Sequence, residues 1–242
     1  MKNNTSYFII GLAIIISAAL LGNAWKTSHR RQSTISVTGL ASRDFVSDLI
    51  VWNASFSRKA MVLKEAYASL KNDAEQIKKY LVSKGVKESD LIFSAVDINK
   101  DFETITEKDE SQKQVFTGYN LSQSVQIESK EVDNIESISR QVTELIDSGI
   151  ELYSSSPNYY YTKLAELKIE MLASASTDAK DRAEHIAKSA GGDIGNLKSA
   201  DMGVFQITAP NSTEGYSWGG AFNTASKRKT ASITVNLDFE IN

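Results

Sequence analysis

The chain of 242 residues holds two imidazoles, His29 and His185, and no cysteine. Disulfides, thiolate metal cages and cysteine nucleophiles are thereby excluded. A two-histidine metal site would have to join a basic stretch behind an apolar segment to the middle of a predicted helix, an implausible pairing. His185 stands beside Glu184, but no Gly-x-Ser-x-Gly turn exists to offer it a serine. Asp178, Asp181 and Glu184 recur at steps of three, the spacing of a solvated helix face. Gly191 and Gly192 follow a helical pattern instead of opening one, so neither a dinucleotide fingerprint nor a phosphate-binding loop is present. The residues thus predict no catalytic site, no cofactor and no metal and identify no small-molecule substrate; a hydrolase using His185 and the helix carboxylates is the reading left beside this one.

A different chemistry is offered by "ITAPNSTEGYSWGGAFNTASKRKT", about two dozen residues between the last two strand patterns. A connection this long without periodicity is functional or disordered. It sets Tyr216, Trp218 and Phe222 among glycines and serines, and aromatic side chains in such surroundings are characteristic interface anchors. Three destinations stand open for the rings: a subunit contact, the protein's own sheet, or a ligand. Tyr159, Tyr160 and Tyr161 pose the same question, because adjacent strand residues face opposite ways and one of them must emerge on the less buried side. Tyr160 joins the interface candidates on that ground. Lys227, Arg228 and Lys229 read as a solvated hairpin flank, with anionic lipid or an acidic neighbour as the alternative.

The elements that must carry these residues follow from periodicity. "TISVTG" and "DLIVWNASFS" alternate as a pair of strands, and "DLIFSAVDI" and "GYNLSQSVQI" as another pair around a charged loop from Asp101 to Lys113. Tyr67, Leu70, Ala74, Ile77 and Leu81 mark a helix ending at Gly85; Ile135, Ile138, Val142, Leu145 and Ile146 mark a second ending at Gly149. A third and longest helix runs from Leu164 to a close at Gly191 and carries a seam of alanines at 175, 179, 183 and 190, which lets a neighbouring backbone approach closely. "ASITVNLDFEI" alternates without a fault and belongs inside a sheet. The order of strands and helices predicts an α+β fold, a mixed and largely antiparallel sheet with three amphipathic helices.

Residues 7–25 carry no charge and would extend about 28 Å as a helix, enough to span a bilayer. Residues 1–31 read as a signal anchor with a basic juxtamembrane stretch, and 32–242 as the folded domain. Cleavage after Ala24, at the weak Gly22-Asn23-Ala24 site, is the alternative and would release a soluble module. Lys26, Arg30 and Arg31 outnumber Lys2, which taken literally keeps the body in the cytoplasm; the resemblance below is the ground for setting that aside. Residues 1–31 hold four of the 27 Lys and Arg and none of the 30 Asp and Glu, so the body has a formal charge of −7 and no basic footprint for nucleic acid.

Four blocks resemble the SIMPL-domain family. "ISVTGLASRDFVSDLIVWNASFS" is similar to its first block through Val37, Thr38, Gly39 and Asp48, and "LVSKGVKESDLIFSAVDI" to its helix exit through Gly85, Val86, Asp90 and Leu91. "GYNLSQSVQI" matches through Gly118 and Tyr119, and "AKDRAEHIAKSAGG" through Ala179, Ala183, Ala187 and Gly191. The first turn departs from the family, with Leu40-Ala41-Ser42 and Ser47-Asp48 where Gly-Glu-Gly or Pro-Asp is frequent. The resemblance implies an exported, non-enzymatic α+β protein of the bacterial cell envelope. It further implies ring-like or channel-like homo-oligomers and a link, in some members, to oxidative stress.

Overall fold

Where apolar residues alternate with polar ones the chain is extended, and where they recur at three and four it is helical. The computed structural model describes residues 4–28, 34–106, 112–213, 215 and 217–242, and in the first helix the side chains of 9–22 alone. In chain order the elements are α1 (Asn4–Ser28), β1 (Thr34–Val46), β2 (Leu49–Ala60), α2 (Leu63–Ser83), β3 (Leu91–Phe93), β4 (Asp97–Thr106) and β5 (Gln112–Ser129). They continue with α3 (Val132–Gln141), β6 (Leu152–Ser154), β7 (Asn158–Tyr160), α4 (Leu164–Ser189), β8 (Ile194–Met202), β9 (Gln206–Thr208) and β10 (Arg228–Ile241). A 3-10 segment, Val142–Ser148, prolongs α3. Gly85, Gly149 and Gly191 all take positive φ at the ends of their helices, as the left-handed cap requires.

The strands form two sheets where the sequence suggested one. One has the order β1-β10-β8 with β9 also on β10; the other has the order β3-β5-β2-β6 with β4 on β5 and β7 on β2. By contacts the chain divides into a unit of Met1–Leu40, Ser174–Gly203 and Thr234–Asn242 and a larger unit of Ala41–Ala173 and Val204–Ile233.

The larger unit is built on β2, which pairs antiparallel with β5 from Ile50↔Ser129 to Ala60↔Tyr119. Ile50, Trp52, Ala54 and Phe56 turn every second side chain into the core, where Leu121, Val125 and Ile127 of β5 and Leu70, Ile77 and Leu81 of α2 are buried with them. Most of its buried polar groups are satisfied, the Ser47 hydroxyl being the exception among the described residues. The Trp52 indole donates to Ser154 Oγ at 3.1 Å, and that hydroxyl donates to the Ser139 carbonyl at 2.8 Å. Buried Asp73 accepts both Nε and a terminal nitrogen of Arg58, whose guanidinium also reaches the Gly149 carbonyl at 2.7 Å. That hydrogen-bonded carboxylate holds the Arg58 pKa above its ordinary value.

In the smaller unit β10 pairs antiparallel with β8 from Val235↔Met202 to Ile241↔Ile194. The alanine seam of α4 lies against β1 at Gly39. Ala175, Ala179, Ala183 and Ala187 are buried, and a Cβ added at Gly39 would come within 2.6 Å of the Ala179 nitrogen and 2.7 Å of its Cβ. Asp178 does more than face solvent, since it accepts the Leu40 N–H at 2.8 Å and pairs with Arg182 at 2.9 Å. These two bonds, the backbone one foremost, hold its carboxyl below the usual range.

Two further expectations change. The charged loop 101–113 is largely strand: β4 and β5 stay paired out to Thr106↔Gln112, with residues 107–111 outside the described ones. Thr104, Ile105 and Thr106 are β-branched and favour extension despite the surrounding charges. The predicted anchor, residues 7–25, falls within α1, whose described side chains are, apart from Ser17, apolar and largely exposed, among them Ile9, Leu12, Ile15 and Leu20. Among the described residues no helix is long and apolar enough to cross a membrane, so the anchor reading rests on the sequence.

Candidate functional site

Between β9 and β10, residues 217–223 form a turn built on one side chain. Gln206 is buried, and its amide replaces the backbone partners that an irregular segment lacks. Its Oε1 accepts the Ser217 N–H at 3.2 Å and the Ala221 N–H at 2.8 Å, while Nε2 donates to the Ser217 carbonyl at 2.9 Å. Backbone bonds close the rest: Gly220 N–H to Ser217 O at 3.0 Å, Ile207 N–H to Ala221 O at 2.8 Å and Asn223 N–H to Ile207 O at 2.9 Å. Gly220 has φ +90 and a Cβ there would meet the Phe205 carbonyl at 2.8 Å, so the turn demands glycine.

At the apex stands Trp218, 99% exposed. Of the destinations open to the rings, packing on the protein's own sheet is closed to this one. Phe222 is 52% exposed and forms a parallel bridge with Ile207. Tyr216 lies outside the described residues. Tyr160 is half-buried in β7 and its carbonyl accepts the Asp48 N–H at 3.0 Å. Its neighbour Tyr159 ties β7 to the aromatic segment, donating its N–H to the Thr224 carbonyl at 2.7 Å. Tyr161 packs against Phe45 with ring centroids 4.8 Å apart.

The basic run is no open patch. Lys227 pairs with Asp133 and Glu136, and Lys229 is buried with its ammonium on the Asn223 carbonyl; Arg228 is the exposed member. Burial works against ionisation of Glu136, but hydrogen bonds from Arg140 and Lys227 outweigh it and hold its carboxyl below the ordinary 4.5.

The two histidines and the α4 carboxylates form no joint site among the described residues. His185 is exposed on α4 and, among the described residues, its ring has no hydrogen-bond partner; His29 lies outside them. Glu184 is shared between Lys180 and Lys188. Among the described residues no group of three or more histidine, aspartate or glutamate side chains is gathered as a metal site would need.

A second aromatic group is assembled only by the fold. Phe102 of β4 and Phe116 and Tyr119 of β5 stack edge to face with centroids 5.7 and 5.2 Å apart, on a ribbon where β5 has left β2 behind. Gly118 makes the departure. It takes φ +130 beside a shift in register, and a Cβ would meet the Ala60 carbonyl at 2.8 Å.

The fold is that of an α+β protein with antiparallel sheets. Residues 35–239 match the family model SIMPL, described as a protein of unknown function (DUF541), and the chain belongs to that family. No curated protein matches the chain. The blocks that carry the likeness do structural work here: Gly39 admits α4, Gly85 and Gly191 cap helices and Gly118 turns the ribbon. Asp48 holds the start of α4, accepting the Thr162 N–H and hydroxyl at 2.7 Å each.

Proposed function

We propose that this protein is a non-enzymatic component of the bacterial cell envelope, tethered to the membrane through residues 7–25. Its folded domain lies outside the cytoplasm and self-associates into a ring-like or channel-like oligomer. The observation that carries the reading is Trp218, fully exposed on a turn held rigid by buried Gln206. Burying about 200 Å² of indole at ~25 cal/mol per Å² is worth about 5 kcal/mol before the costs of association are subtracted. Few surfaces leave that much unused. Preorganisation of the turn removes part of the ordering cost, and tethering in a membrane plane raises the effective concentration of copies. The apolar, uncharged stretch 7–25 and the exposed apolar side chains of α1 support the tether. The link to stress defence rests on the family resemblance alone.

The test is the molar mass of the detergent-extracted full-length protein, read by light scattering with the detergent contribution removed. A multiple of the chain mass of 26.6 kDa is expected. A monomer at every concentration overturns self-association, and a mature chain shorter by about two dozen residues replaces the tether with a released module.

A further inference from the structure

We draw no further inference here: the strongest candidate, the open hollow of about 390 Å³ at the start of α3, a helix end without a side-chain cap, is lined by lysines and carboxylates together, and the Ser47 hydroxyl, unpartnered among the described residues, is closed off by protein, so nothing in the structure shows what would fill it.

Discussion

Gln206 illustrates how one side chain can substitute for secondary structure. The residues after β9 have no strand or helix to satisfy their backbone groups, and the glutamine amide, with one acceptor oxygen and two donor hydrogens, takes up three of them at once. Removing it strands the Ser217 and Ala221 N–H groups inside the turn. Gln206→Ala should therefore cost about 1–3 kcal/mol, seen as a lower melting temperature and as faster hydrogen exchange at the Ser217 and Ala221 amides. Unchanged exchange at those two amides would show that the turn holds without its clamp. Trp218 itself contributes nothing to this stability, and its replacement should leave the melting temperature of the monomeric fold where it was.

Between elements, close approach and charge do the joining. The packing of α4 on β1 depends on a missing Cβ, since the space at Gly39 is already filled by Ala179. Gly39→Ala should destabilise the protein by roughly 1–3 kcal/mol through overpacking, read as a fall in denaturation midpoint without change in slope; tolerance of the methyl group would mean that α4 can shift aside. The segment after the aromatic turn is tied to α3 by Lys227, which bridges Asp133 and Glu136. The Glu136 carboxyl is held below 4.5 in the folded chain by its hydrogen bonds to Arg140 and Lys227, in spite of burial. Its contribution is thus present above pH 4.5 and is lost as pH falls through the lowered folded value. Glu136→Gln should lower the melting temperature near neutrality, by the equivalent of about 1 kcal/mol or less, and should flatten the decline in acid. A variant with the parent's full acid dependence would assign that dependence to other carboxylates.

At the scale of the whole molecule, the proposed self-association makes its own prediction. Two open hollows of about 330 and 390 Å³ flank the start of α3, and at the second Lys227 is engaged by Asp133 and Glu136 and Asp48 by Thr162. The Trp218 indole, 99% exposed, has no such engagement among the described residues. Replacing Trp218 and Phe222 together by alanine should shrink the oligomer while far-ultraviolet circular dichroism stays as in the parent, because neither ring is part of the buried core. Solution scattering reads the outcome, and an unchanged mass places the subunit contact elsewhere on the surface.

Local pattern was enough for the elements. Alternation at Ile50, Trp52, Ala54 and Phe56 and the stripe along α2 report which face is buried, and a buried face leaves its period in the sequence. The helix-ending glycines were legible for the same reason, since a left-handed cap is a demand on one residue. The division of the strands into two sheets was not legible, because it depends on which strands hydrogen-bond across the fold. Nor was the ribbon: β4 is exposed on both faces, so nothing alternates there to be read. Trp218 and Phe222 were visible as candidates, but their destination was not. Gln206 bonds to groups 11 and 15 residues further on, and only that closure decides that the indole points to solvent. Periodicity is a property of neighbours along the chain; exposure is a property of what the folded chain brings, or fails to bring, against them.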